Sequence, residues 1–509
     1  MTLNANTLLT QAPAVLNVGI DAFNPSVIAN GGTLTHLQWQ PPGNADPALA
    51  WKLAQLMADP RIEQANVLAT QRIINARPMW EDIALRADGV WPEMKNTRLL
   101  LHAGPPVAWG QMCGPMRGAM LGAVLYEGWA DTPPQAQALL EGGEIEFAQC
   151  HDFGAVGPMT GIISASMPLI QVRDATHGNL AYTNINEGIG RCLRFGANGP
   201  DVLQRLKWFE AVLAPVLKAA VRHAFDRSGG IDLKAIQSQA LLMGDEVHSR
   251  NAASTSLLFM ALAVPLAAVS GGKDAIPQDH IHQTLDFVAK TSQFFLNYSM
   301  VSCKAIMDAA HGIAFSSVVT AIARNGTETG LRISGMGTQW FTAKSDLPQG
   351  LYFPGFKQAD SCPDIGDSAI TEAAGFGGCS FAASPALTLL AGGSVIDAVR
   401  YSREMYEITV TRNPSLSLPA LDFAGAPCGI DVRKVVDTGI RPVLTTGIAH
   451  KDAGVGQIGA GIVRVPMQSF VRALNAMAEQ FMSAPRPAQA GRPPWGSSKV
   501  AEPHLLAKG

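Results

Sequence analysis

Within the sixteen residues from Pro363 to Gly378 the chain carries three carboxylates (Asp364, Asp367, Glu372), two hydroxyls (Ser368, Thr371) and four glycines. Acids and free backbone N–H groups at the start of a short helix form a place where ions and polar ligands bind. Asp367 or Ser368 can cap the apolar segment that follows, and Gly375 can stop it. On such a helix Asp367 lies one turn from Thr371 and Ser368 one turn from Glu372. A capped surface helix accounts for Asp367 and Gly375 but leaves Asp364 and Glu372 unexplained. The chemistry they suggest is the acidic half of a mixed-charge anion site, with a divalent cation as the second reading.

Gly244-Asp-Glu-Val-His-Ser-Arg-Asn251 is the second such cluster. If Asp245 opens a helix, Asp245 and His248 share a face and Glu246 pairs with Arg250, with Asn251 beside them. His248, Asp245 and Glu246 are the proton-handling candidates, joined by His151, which stands next to Asp152 before a Gly/Pro-rich loop. A plain intrahelical salt bridge and a structural histidine explain the same residues. Arg250, Arg194 and Arg324 are candidate anion clamps, because guanidinium holds carboxylate or phosphate bidentately. Arg324-Asn325-Gly326 also reads as a turn before a strand at Leu331–Ser334, with Asn325 at its tip.

The run from His450 to Gly461 formally contains G-x-G-x-x-G, but the residues after it read as strand, so close packing or a backbone nest explains it better than a nucleotide. No H-E-x-x-H and no G-x-S-x-G occurs, which removes the common zinc-protease and serine-hydrolase signatures.

Elements must bring these clusters together. At 509 residues, with 47% apolar and 16% charged side chains, the chain exceeds one core and predicts several domains. The expected fold class is α/β and multidomain. A small Rossmann-like α/β unit occupies 1–97, and an α+β part 98–225. A helical segment covers 226–318, a C-terminal α+β domain 319–482, and a disordered Pro-rich tail 483–509. Asp245 should start the helix after Gly244, and Ser254 to Val269 should be a buried core helix. A net charge of −3 excludes a nucleic-acid footprint. Seven scattered cysteines, no Cys-x-x-Cys and no leader-like N-terminus predict a cytoplasmic protein with no membrane span.

In chain order, several segments resemble the YlbE-like family. They are Leu101-His-Ala-Gly-Pro-Pro106, Gly157-Pro-Met-Thr-Gly161, Asn186-Glu-Gly188, Leu193-Arg-Phe-Gly-Ala-Asn198, Met243-Gly-Asp-Glu-Val-His248, Arg324-Asn-Gly326, Pro363-Asp-Ile-Gly-Asp-Ser-Ala-Ile-Thr-Glu372, Gly429-Ile-Asp431 and Gly454-Val-Gly-Gln-Ile-Gly-Ala-Gly461. Ser249 departs from an expected His-Asn-Arg-Asn run, and so does the Pro-rich tail. The resemblance implies a role in allantoin and purine nitrogen catabolism, as a subunit of a three-component carbamoyltransferase that converts oxalurate and phosphate to oxamate and carbamoyl phosphate. It implies an FdrA-like partner, a third small subunit, small anionic substrates and a homo-oligomer. Two alternatives stay open: a non-catalytic structural subunit of such a complex, or acyl or carbamoyl transfer on another small amide acid.

Overall fold

The computed structural model describes residues 12–18, 21–37, 46–271 and 275–483. The expected tail lies outside the described residues from 484 on; Ser483 itself closes the last helix, Met467–Ser483. The chain is a mixed α/β protein whose strands form several small sheets.

At the N-terminal side, strands Ala14–Val18 and Thr33–Leu37 pair in parallel around the short helix Asn24–Ala29, a strand–helix–strand unit. Asp46 caps the helix Pro47–Met57 by accepting from the Ala48 and Leu49 N–H groups. That helix buries Leu49, Leu53 and Leu56 in one core with Phe470 and Leu474 of the helix Met467–Ser483. The two ends of the described chain therefore share apolar packing.

A five-stranded sheet runs in the order Ala155–Val156, Leu180–Asn184, Leu169–Asp174, Pro78–Ala84, Ile231–Asp232. The helix Phe295–Ala309 packs across it and is buried on nearly every side, as its sequence FLNYSMVSCKAIMDA with one lysine and one aspartate predicts. The same helix touches the short helix Ile370–Ala373. A four-stranded antiparallel sheet holds the hairpin Val319–Asn325/Glu328–Ile333. Asn325 Oδ1 accepts from the Thr327 and Glu328 N–H groups, the side-chain turn its sequence predicts. A three-stranded sheet places Val443–Ala449 at one edge beside Gln457–Arg464.

Three expectations need correction. Asp245 starts no helix: residues 245–251 are a loop, and the next helix is Ala252–Ala268. Val247 in that loop sits at φ 65°, a left-handed conformation that a β-branched residue rarely adopts. The helix Ala252–Ala268 is not a fully buried core helix. Its buried positions, Ser254, Thr255, Leu258, Leu262, Pro265 and Leu266, repeat at helical spacing, whereas Met260 and Val264 are 70% and 69% exposed. Finally, Asp367 does not cap the Ile370–Ala373 helix, because its carboxylate is turned toward other backbone segments.

Candidate functional site

The two clusters singled out by residue type meet in space. His248 Nδ1 lies 2.8 Å from Glu372 Oε1, both side chains buried. The same oxygen accepts from the Thr445 N–H at 3.0 Å and the Gly378 N–H at 3.1 Å. Thr371 Oγ1 lies 2.9 Å from the other carboxylate oxygen. The glycine run makes this closure possible. A Cβ on Gly377, at φ +55°, would stand 2.1 Å from Glu372 Oε1. Burial alone would raise Glu372, but the His248 charge and hydrogen bond and the two N–H donors hold its carboxyl below the ordinary value. An ionised carboxylate only accepts, so Nδ1 of His248 carries the proton and Nε2 is the free nitrogen.

Glu246 reaches the same point from the other side. It accepts from the backbone N–H groups of Ser249 and Arg250, the latter at 3.1 Å, and Thr445 Oγ1 lies 3.2 Å from its Oε1. Burial pushes Glu246 up to about 7. Two neighbouring carboxyls are thus driven apart, Glu372 below its ordinary value and Glu246 up to about 7, a separation typical of acid–base sites. The expected Glu246–Arg250 pair does not form. Arg250 Nε lies 3.4 Å from Asp245 Oδ1 instead, with the arginine side chain 39% exposed. Asp245 is buried and accepts from the Ser254 N–H at 2.8 Å, securing the start of the following helix. Asn251 Nδ2 donates to the His248 carbonyl, and so holds the loop that presents the ring.

His248 lines a cleft of about 50 Å³, together with Arg194, Ser368, Thr446 and Gln457. Arg194 is 4% exposed, donates Nη2 to the Gly188 carbonyl, and keeps a buried Nε with no hydrogen-bond partner. Glu187 accepts from the N–H groups of Leu193 and Arg194 and so fixes that turn. A guanidinium on the lining of a cleft, with one donor not used inside the protein, is suited to a carboxylate or phosphate.

Arg324 sits elsewhere. Its Nε lies 2.7 Å from Asp364 Oδ2 and its Nη1 donates to the Gly366 carbonyl, all buried. Only Nη2, 3.4 Å from Ser368 Oγ, reaches toward the cleft wall. Asp367 is fully buried and accepts from the Gly104 N–H at 2.8 Å and the Gly157 N–H at 3.1 Å. His151 is also buried, with Nε2 3.6 Å from Asp367 Oδ1. Burial, reinforced by Lys304 and Arg332, pushes His151 well below the usual imidazole range. Asp364, Asp367 and Glu372 therefore turn to three different partners. Among the described residues no group of three or more His, Cys, Asp or Glu side chains is arranged to hold a metal ion, so the acids do not fit the divalent-cation reading.

The structure thus places His248, Ser368 and Arg194 on the lining of one cleft, with Glu372, Glu246 and Thr371 buried beside His248. Arg324 and Asp364 lie behind its wall. His151 and Asp367 form a separate buried contact, Asn325 stands at a hairpin tip, and Asp245 and Arg250 anchor the loop outside the cleft. Sequence reasoning missed Thr445, Thr446 and Gln457. The visible signal was a polar pair interrupting the apolar strand Val443–Ala449, where one of two successive residues must face inward.

Burial pushes Asp367 up to about 7, against an ordinary 3.8. A folded-state value above the unfolded one contributes stability that is complete below about pH 4 and lost as the pH rises through about 7. Asp367→Asn removes that titration. Its stability relative to the parent chain should rise steadily between pH 4 and 7 and level off above, as read from urea midpoints across the range. A pH-independent difference would show that Asp367 titrates normally.

Residues 145–368 match the family model described as oxamate carbamoyltransferase subunit AllG. Oxamate carbamoyltransferase subunit AllG of Escherichia coli (strain K12) is 50% identical over 421 residues, covering 82% of this chain and 98% of the relative. A protein of the same strain named uncharacterized protein YahG is 43% identical over 480 residues, covering 94% and 99%. Among solved structures, the chain is similar to a conserved protein of unknown function from Enterococcus faecalis V583. That likeness has TM-score 0.77 and 40% identity, over 82% of this chain and 98% of the other.

Proposed function

Since the chain belongs to the family of the oxamate carbamoyltransferase subunit AllG, we propose that its His248 cleft is the carbamoyl-transfer site of such an enzyme, acting on oxalurate and phosphate. The observation that carries this reading is the His248–Glu372 pair facing a cleft whose wall holds a buried arginine with an unspent donor. In the transfer a phosphate oxygen bonds to the carbamoyl carbon, the bond from that carbon to the oxamate nitrogen breaks, and the departing nitrogen takes a proton. His248 Nε2 takes the proton of the attacking phosphate and hands it to that nitrogen, with Glu372 holding the ring from behind. Arg194 takes the carboxylate of the oxamate half. Ser368, whose hydroxyl accepts from Arg324 Nη2 and keeps its own proton, supplies a donor where the carbamoyl oxygen gains charge. No step draws on a metal ion.

The partner is an FdrA-like chain, with a third small subunit. Exposed apolar side chains near the cleft support association: Leu389 and Ile396 are 79% and 80% exposed, and their neighbour Leu390 lines the cleft itself. The test is to purify the complex and follow phosphate-dependent cleavage of oxalurate. Arg194→Gln should lower kcat/KM for oxalurate by about 100-fold, the loss of a charge-assisted hydrogen-bonding group. Unchanged kcat/KM in that variant would remove Arg194 from the site. Ile396→Asp, in a separate variant, should weaken co-purification while leaving thermal unfolding of the isolated chain in place. Undiminished co-purification would free this face of any docking role.

A further inference from the structure

We propose that a second cavity, walled by Lys304, Arg332, His311, Thr320 and His151, is a binding site for a small phosphate-type oxyanion, separate from the His248 cleft. This cavity has a volume of about 460 Å³ and shares none of its lining residues with the cleft. Its unusual feature is the depth of its cations. Lys304 projects from the otherwise enclosed helix Phe295–Ala309 with its side chain 5% exposed, and Arg332 from the strand Glu328–Ile333 at 6%. Isolated buried cations are costly and are retained where something anionic meets them.

The acids that meet them now do so from the rim. Asp308, 26% exposed, accepts one hydrogen bond from Lys304 Nζ at 2.7 Å, and Asp152, 38% exposed, pairs with Arg332 Nη2. Both carboxylates have solvent to return to, whereas the cations do not. Spare donors also face the space. An ammonium has three protons, and Asp308 is the one partner found for Lys304 among the described residues. Arg332 Nε is buried without an acceptor while its guanidinium stacks 4.4 Å from the Trp340 ring centre. The buried His151 leaves Nδ1 without a hydrogen-bond partner, while its Nε2 lies 3.6 Å from Asp367 Oδ1. Thr320 Oγ1 lies 2.7 Å from His311 Nδ1, which leaves a hydroxyl and an imidazole on the same wall. A phosphate group offers acceptor oxygens in several directions at once, and so satisfies ammonium, guanidinium, imidazole and hydroxyl together. A cation fits poorly, because the deepest groups are the positive ones. The inference does not require the His248 cleft to be catalytic.

The test is isothermal titration of the full chain with inorganic phosphate, and in parallel with phosphoglycolate, at constant ionic strength set by chloride. The expected result is a saturable component that Lys304→Gln and Arg332→Gln each weaken at least tenfold and that Arg194→Gln leaves within twofold. His311→Gln, on a partly exposed side chain outside both buried ion pairs, should weaken the same component at least threefold without lowering the unfolding temperature. It serves if either cation variant misfolds. Tighter binding of inorganic phosphate assigns the site to the free ion, and tighter binding of phosphoglycolate assigns it to the phosphate end of a larger metabolite. Absence of a saturable component, its persistence in both His311→Gln and Lys304→Gln, or its loss in Arg194→Gln would overturn the proposal. The oxalurate assay is read independently, so failure there leaves this result standing and failure here leaves that one standing.

Discussion

Replacing Glu372 with glutamine should lower kcat for oxalurate cleavage by about 10²–10⁴-fold while the protein stays folded. The carboxylate oxygen nearest His248 also receives the Thr445 and Gly378 N–H groups. A glutamine carbonyl placed there accepts the same three bonds, and its amide then faces Thr371 Oγ1, which can accept. Geometry and ring tautomer are therefore kept, and the negative charge behind the ring is lost. General acid–base terms as a class contribute about 10²–10⁴-fold. Glu372→Ala is the contrasting variant. It leaves two buried N–H donors and the imidazole unpaired and should lose roughly 3–5 kcal/mol of stability. Wild-type kcat in a folded Glu372→Gln protein would take the pair out of the chemistry.

Arg324→Met should destabilise the fold by about 3–5 kcal/mol, the range seen when one partner of a buried ion pair is removed. Asp364 would keep only Thr446 Oγ1 and the Ile365 N–H as donors in a fully enclosed setting. The Gly366 carbonyl would lose its partner too. Adding Asp364→Asn removes the stranded charge while retaining an acceptor for Thr446, and the double variant should recover at least half of the loss. Denaturant midpoints on the two single variants and the double one give the coupling directly. A single variant within about 1 kcal/mol of the parent would mean that Asp364 is solvated or protonated in its absence.

Much of the local structure was legible. The Asn325 turn and the mixed α/β class follow from turn chemistry and periodicity. The two polar clusters were visible as clusters, but their partners were not. His248 meets Glu372 across 124 positions, and no spacing rule reaches that far. Arg324 looked like a spare cation because a sequence displays charges without their counterions; its counterion arrives 40 positions later on the other side of a hairpin. The 245–251 segment misread as a helix start because Asp, Glu and His after a glycine look like a first turn. In the folded chain Glu246 spends its carboxylate on the loop's own N–H groups, and this competes with helix formation. Lys304 was invisible as a buried charge, since one lysine in an apolar helix reads as its solvent face.

The carboxylates at the centre of the molecule also set an order of events. Asp367 is tied to Gly104 and Gly157, 263 and 210 positions away, and Glu372 waits for Thr445, 73 positions further on. Closing a loop of 263 residues costs about 5 kcal/mol of chain entropy on the logarithmic scale, before any contact rewards it. These bonds therefore form late, and a nascent chain released from the ribosome only as far as residue 440 still lacks the strand that supplies the last donor. Until then Glu372 has His248, Gly378 and Thr371 as partners but not the Thr445 N–H, and no shorter piece ending before that strand completes the set.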